Sequence, residues 1–199
     1  MVDQVQLDLA DGKFVPVKTW ADPEVLEKNC QINVELHLMV NDPLLELQKW
    51  TATENINRVL IHLESPQHMR EAVQFALDNG WEVGLVLNPE TPLAALKGYL
   101  DKIHSVVFMG VVPGKQGQKL IPAVVIKMKN FTSQNPTIFT EIDGGVNEKI
   151  LPLLLAAGIK AICPGSAIFG SGNPADNVKK LREIINKLTS NKKQDTISK

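Results

Sequence analysis

Residues 4–10, QVQLDLA, alternate in character: Val5, Leu7 and Leu9 fall on one side, and Gln4, Gln6 and Asp8 on the other. That period of two predicts a strand with one apolar and one polar face. Six further stretches read as strands, at 32–40, 57–63, 81–88, 105–112, 136–143 and 160–167. Helical patterns separate them. In PQHMREAVQFALDNG, Met69, Val73, Ala76 and Leu77 share one face, and Gly80 suits a C-terminal cap. Thr91 and Pro92 predict an N-cap and a first helical residue for LAALKGYL. Asn147 predicts a cap for EKILPLLLAA, with Pro152 shortening the start. Asn173 precedes ADNVKKLREIINKL, where Val178, Leu181, Ile185 and Leu188 form a stripe.

Strand and helix in unbroken alternation predict an α/β protein with a parallel sheet. Runs such as VLIHL, VGLVLN and VVFMGVV are almost wholly apolar, as parallel strands covered on both faces are. An open doubly wound sheet and a barrel both satisfy this pattern, and the polar residues decide between them. Asp8, His37, Asn88 and Asp143 each sit near the C-terminal end of a different strand. A barrel gathers such ends into one bowl, where active sites form. The expected fold is a TIM-type (β/α) barrel with seven of the eight β/α units in this chain. Residues 1–188 form its single domain, and 189–199 a polar tail that frays.

Composition narrows the function classes. The 199 residues are 44% hydrophobic and 22% charged with a formal net charge of -1, which fits one globular domain and offers no basic stripe for a nucleic acid. Cys30 and Cys163 are far apart without CxxC spacing, so they read as free thiols in a reducing compartment. The N-terminus lacks a basic-then-apolar leader, and no apolar run approaches membrane-spanning length. A soluble, cytoplasmic protein with neither a nucleic-acid nor a membrane partner is expected.

Candidate chemistry centres on Asp8 and Asp143. A carboxylate ending an apolar strand must be solvated, paired, bound to metal or used. Two of them across a bowl can flank one carbon, one removing a proton and the other returning it on the far face. Taken singly, each acid could equally cap a neighbouring loop. His37, within VELHLMV, reads alone as a buried, hydrogen-bonded histidine; beside the two acids it completes a set that a divalent metal takes. His62 reads as a core residue next to Glu64, while His68 and His104 fall on surface segments. Met39 and Met109 lie near strand ends, where core filling is the ordinary role of methionine and lining a ligand the other. GVVPGKQGQ, DGGV and PGSAIFGSG each follow a strand and precede a helix. Their glycines let backbone N–H groups approach an anion, and the last two loops of a barrel commonly hold phosphate.

Together, LDLADGKFVP, VELHLMV, GLVLNPETP, FMGVVPGKQGQ, EIDGGV and PGSAIFGS resemble the ribulose-phosphate 3-epimerase family, in order and spacing, from residue 5 to about 188. The resemblance implies interconversion of D-ribulose 5-phosphate and D-xylulose 5-phosphate by proton transfer at C3 through a cis-enediolate, stabilised by a divalent metal such as zinc, iron or manganese. It implies that Asp8 and Asp143 are the acid and base, and that both also touch the metal. His37 becomes a further metal ligand, and Met39 and Met109 line the substrate. Phosphate would rest on the 114–117 turn, including Gly114 and Gly117, and on Gly144, Gly145, Gly165 and Ser166. A homo-oligomer acting on a small ketose phosphate is expected.

The departures from the family pattern shape a second reading. Gln6 stands where the motif has a metal-binding histidine; an amide oxygen is a weaker ligand, so metal affinity should fall. Ala10 replaces a methionine, Val112 an asparagine, and Gln116 a freer position of the phosphate turn. The family's first strand and helix, which bring a serine to the substrate, have no counterpart before residue 4. That gap implies unpaired sheet edges, to be closed by a dimer contact, strand exchange or a smaller barrel. The alternative function is a sugar-phosphate binder of altered specificity, without catalysis and with a weakened metal site. A lyase or synthase of the phosphate-barrel class is a third.

Overall fold

The computed structural model describes residues 2–114 and 117–197, the side chains of 191–197 excepted. Lys115 and Gln116, and so the centre of the predicted phosphate turn, lie outside the described residues. Seven parallel strands form one sheet in sequence order: β1 Gln4–Ala10, β2 Asn33–Met39, β3 Ile56–His62, β4 Glu82–Leu87, β5 Ser105–Met109, β6 Phe139–Asp143 and β7 Ala161–Cys163. The helices α1 Pro23–Asn29, α2 Pro43–Leu47, α3 Met69–Asp78, α4 Pro122–Gln134, α5 Leu151–Ala156, α6 Gly165–Phe169 and α7 Pro174–Ile197 fall between or after them. The sheet is curled, as a barrel requires: Gln6 of β1 lies 2.8 Å from Cys163 of β7 and 3.0 Å from Asp143 of β6. This is the expected TIM-type α/β architecture with seven β/α units.

Alternation along each strand makes two cores. Outward-facing Leu36, Val59, Leu85, Phe108 and Ile142 are buried against the helices, joined by Trp50, Met128 and Phe131. Leu60, Val86, Val107 and Met109 form a small apolar cluster inside the curl. Burying such side chains supplies about 1.5–3 kcal/mol each before conformational entropy is counted.

Several element ends differ from the sequence reading for local reasons. Strand β5 stops at Met109 rather than 112, because the Gly110 N–H donates to the Asp143 carbonyl at 2.6 Å and the Gly110 carbonyl accepts from Ile121. A Cβ at Gly110 would collide with the Gly144 carbonyl, so this crossing requires glycine. Strand β7 ends at Cys163, since Pro164 leads into α6. LAALKGYL forms only a 3₁₀ turn, Leu93–Leu96, and the Thr91 hydroxyl donates to Glu64 instead of capping it. Asn173 does cap α7, its Oδ1 accepting from Ala175 N–H at 2.8 Å. The polar stretch from 189 continues α7 as far as Ile197.

Below the strand ends, the interior is charged. Arg58 on β3 donates to Glu35 on β2 at 2.8 Å and to Glu82 on β4 at 2.8 Å, and its guanidinium lies 5.2 Å from the Phe139 ring centre. Glu141 on β6 has one oxygen 2.9 Å from Cys163 Sγ, while its other oxygen is buried without a hydrogen bond. Burial and the neighbouring Glu35 push the Glu141 carboxyl up to about 7. A carboxyl raised from its ordinary 4.5 destabilises the fold as pH climbs from 4.5 through 7, because the unfolded chain ionises first. Glu141→Gln should therefore stabilise the protein by about 1 kcal/mol at pH 8, at the low end of the cost of a buried, unsatisfied acceptor. Denaturant midpoints of the two proteins at that pH measure the difference.

Candidate active site

The strand registers put the chemistry in one layer. Asp8 pairs with His37 across β1 and β2, Met109 with Asp143 across β5 and β6, and Asp143 with Cys163 across β6 and β7. Gln6 and Asp8 are two apart on β1 and face the same way. His37 is fully buried, and its Nδ1 lies 3.1 Å from Asp8 Oδ1 and 3.1 Å from Asp143 Oδ2. The carboxylates of residues 135 positions apart in sequence thus converge on one ring nitrogen.

Charge follows from that geometry. Burial works against the His37 imidazolium, but hydrogen bonds and the charges of Asp143 and Asp8 outweigh it and push the ring up to about 10. Burial likewise raises the Asp8 carboxyl, yet hydrogen bonds from His37 and Gln6 hold it below its usual value. Asp11, the second acid of the opening motif, has a structural role: one oxygen accepts from the N–H groups of Lys13 and Phe14, the other from Asn41. The loop it shapes returns Thr19 to β1, where Thr19 Oγ1 accepts from Ala10 N–H at 2.8 Å.

A cavity of about 250 Å³ opens above this layer. Asp8, Asp143, Met39 and Met109 line its floor; Gly114, Gly117, Gly144, Gly145, Gly165 and Ser166 line its wall. Gly144 and Gly145 both have positive φ, at 91° and 72°, and a Cβ on Gly145 would press into the Leu120 backbone. The structure therefore brings these ten predicted residues to one cavity, with His37 and Gln6 against the two acids. Thr19, Val17 and Cys163 also line the cavity and carried no signal. Asn88 does not join them: it follows β4, and its N–H donates to Glu64.

His62 is more than the core residue its apolar strand suggested. Its ring lies nearly parallel to that of His37 with centres 5.1 Å apart, its Nε2 lies 2.9 Å from His37 Nε2, and its Nδ1 lies 3.2 Å from Glu64 Oε2. Burial and the charge on His37 push His62 down to about 4, against the pull of Glu64, so it is neutral. Burial raises the Glu64 carboxyl, but hydrogen bonds from His62, Thr91 and Asn88 hold it low.

Asp8, His37 and Asp143 each offer one ligand atom, all within 4.8 Å of one another, a donor set suited to a divalent cation. Gln6 Nε2 already stands among them, 2.8 Å from Asp8, 3.0 Å from Asp143 and 3.2 Å from His37. Its amide oxygen turns away to Cys163. Reversing that amide puts Oε1 among the same atoms as a fourth ligand, so the residues fit a cation with Gln6 turned. Glu35, Glu141 and Cys163 form a second acidic and thiol group below, next to Arg58.

A curled, seven-stranded parallel sheet whose bowl is floored by two carboxylates, with a histidine against both, defines a TIM-type (β/α)-barrel protein. The family model described as "Ribulose-phosphate 3 epimerase family" matches residues 1–169, and the chain belongs to that family. The ribulose-phosphate 3-epimerase of Bacillus subtilis (strain 168) is 30% identical over 189 residues, covering 92% of this chain and 85% of that protein. The ribulose-phosphate 3-epimerase of Helicobacter pylori (strain J99 / ATCC 700824) is 34% identical over 176 residues, covering 85% of this chain and 80% of that one. Among solved structures, a 3-hexulose-6-phosphate synthase superposes with a TM-score of 0.66 at 17% identity, over 92% of this chain and 87% of its own, a likeness of fold. Among the described residues, no helix is long and apolar enough to cross a membrane.

The raised His37 has a consequence for stability. A base whose folded value of about 10 exceeds its ordinary 6.5 contributes stability that is complete below 6.5 and lost as pH rises towards 10. Metal-free protein should therefore lose thermal stability between pH 7 and pH 9. His37→Gln should remove that slope, as thermal melts across the range would show.

Proposed function

We propose that the protein interconverts D-ribulose 5-phosphate and D-xylulose 5-phosphate by moving one proton at C3. The observation that carries this reading is the convergence of Asp8 and Asp143 on a single point, 3.1 Å from each to His37 Nδ1, at the floor of a glycine-walled cavity. The relatives named ribulose-phosphate 3-epimerase support the choice of substrate.

With the sugar's C3 between the two acids, one carboxylate withdraws the proton and the other, protonated, delivers one to the opposite face. The two acids end each turnover with exchanged protonation states, which suits the reverse reaction. Solvent reaching the open cavity resets them for another forward turnover. Asp8, His37, Asp143 and a turned Gln6 would hold a divalent metal ion, which when bound supplies an electrophile for the sugar oxygens of the enediolate. Met39 and Met109 pack around the reacting carbons and keep bulk water away from them. The N–H groups of Gly144, Gly145, Gly165 and Ser166, with the 114–117 turn, receive the phosphate, because neighbouring glycines with positive φ leave their N–H groups unshielded.

Purified protein supplied with ribulose 5-phosphate and zinc or manganese should form xylulose 5-phosphate in a coupled assay. Asp143→Asn should lower kcat by about 100- to 10,000-fold, the usual contribution of a positioned acid or base. Wild-type protein that leaves ribulose 5-phosphate unchanged under all metals would contradict the reading.

One observation favours a second reading, a sugar-phosphate binder without turnover: the Gln6 amide nitrogen stands where a cation would be shared. The two readings separate on Gln6→His. If the amide is the obstacle, this variant should bind zinc at least about 10-fold tighter in a chelator competition and gain epimerase activity.

A further inference from the structure

Two rings and a carboxylate run in file away from the acids, and their hydrogen positions follow from geometry. Glu64 is fixed at one end. Its Oε1 accepts from the Asn88 N–H at 2.9 Å and from the Thr91 hydroxyl, leaving Oε2 to face His62 Nδ1 at 3.2 Å. The loop that supplies those donors is itself held: Lys127 Nζ on α4 donates to the carbonyls of Asn88, Pro89 and Thr91 at 3.0, 2.6 and 2.7 Å. His62 has no room to turn, being fully buried with the His37 ring centre at 5.1 Å and the Phe14 ring centre at 4.8 Å.

An ionised carboxylate only accepts, so His62 must carry its hydrogen on Nδ1. Both acids lie against His37, so of these two touching rings His62 is the neutral one; a neutral imidazole has one such hydrogen, so His62 Nε2 is a lone pair. His37 Nε2 lies 2.9 Å from that lone pair and must donate to it. Nδ1 is then the only nitrogen of His37 whose hydrogen is free to come and go, and it is the one that faces Asp8 and Asp143.

We propose that Glu64 is a positioning residue: acting through His62, it keeps the hydrogen of His37 on Nε2 and reserves Nδ1 for the shared site of the two acids. A histidine that ligates a metal needs its other ring nitrogen satisfied as a donor, and here the partner is a second ring, itself oriented by Glu64. The proposal rests on the reading of Asp8, His37 and Asp143 as a cation site only for its effect on metal affinity. The hydrogen positions stand independently of it.

Glu64→Gln isolates the effect. The Asn88 and Thr91 donors demand an oxygen at the Oε1 position, which forces the amide nitrogen of the variant towards His62. That nitrogen donates, so His62 must become the Nε2–H form, and His37 must give up its Nε2 hydrogen and keep only the one on Nδ1.

The test is a long-range ¹H–¹⁵N spectrum of uniformly ¹⁵N-labelled, metal-free protein at pH 7.5. The chain has 4 histidines, and His37→Gln and His62→Phe assign the two buried ones by omission. Wild type should show His62 neutral with hydrogen on Nδ1, and Glu64→Gln should show it on Nε2. In parallel, Glu64→Gln should weaken zinc binding by about 10- to 100-fold in a competition with a chromophoric chelator. A wild-type His62 carrying hydrogen on Nε2 overturns the proposal without any variant, so a poorly folding substitution does not shield it. An unchanged His62 form in Glu64→Gln, or an inverted ring with unchanged zinc affinity, overturns it as well. A wild-type chain that takes up no zinc contradicts the cation reading of the site, while the metal-free spectrum still decides the role of Glu64.

Discussion

A single buried ring holds two acids at one point. His37 Nδ1 sits 3.1 Å from Asp8 on β1 and 3.1 Å from Asp143 on β6, strands that lie far apart in the order of the sheet. Two acids brought this close crowd each other, and a positive charge or shared donor between them offsets that crowding. His37 supplies the charge and the Gln6 amide adds two further hydrogen bonds. The curl of the sheet, the cavity above it and the chemistry proposed for it all depend on that arrangement.

The same constraint orders what lies around it. Beneath the acids, Arg58 gathers Glu35 and Glu82, and Glu141 stays high in pKa because it is buried beside Glu35. To the side, His62 remains neutral so that only one charged ring faces the acids. Gln6 links these layers: its nitrogen serves the acids, its oxygen meets Cys163, and Cys163 Sγ in turn lies 2.9 Å from Glu141. An amide in this position can present either end to the acids. The chain therefore holds a donor set suited to a cation, with the Gln6 amide nitrogen among its atoms.

Much of this was legible in the sequence. The seven strands announced themselves through alternation at QVQLDLA and through apolar runs elsewhere. Asp8, His37 and Asp143 stood out because polar groups at the ends of apolar strands need a reason. The glycine pairs pointed to the cavity wall. What escaped is what only the register and curl create. His62 looked like a core histidine because its link to His37 depends on β3 being set so that His37 pairs with Leu60, leaving His62 one step further along the same face. Gln6 and Cys163 meet across 157 positions through the curl of the sheet, and no local pattern foretells it. The helix predicted at LAALKGYL shrinks to a single turn because Thr91 and its neighbours are bound to Glu64 and Lys127, tertiary partners stronger than a capping preference.

The central claim is that one acid serves each face of C3, and hydrogen exchange in D₂O tests it most directly. Asp8→Asn and Asp143→Asn are each incubated separately with ribulose 5-phosphate and with xylulose 5-phosphate, and deuterium at C3 is followed by NMR. A remaining acid can take a proton from its own face and return deuterium there. Each variant should therefore label only one of the two sugars, the two variants should label opposite ones, and neither should interconvert them. Labelling of the same sugar by both variants, or interconversion that survives either substitution, would contradict a site built on two opposed acids.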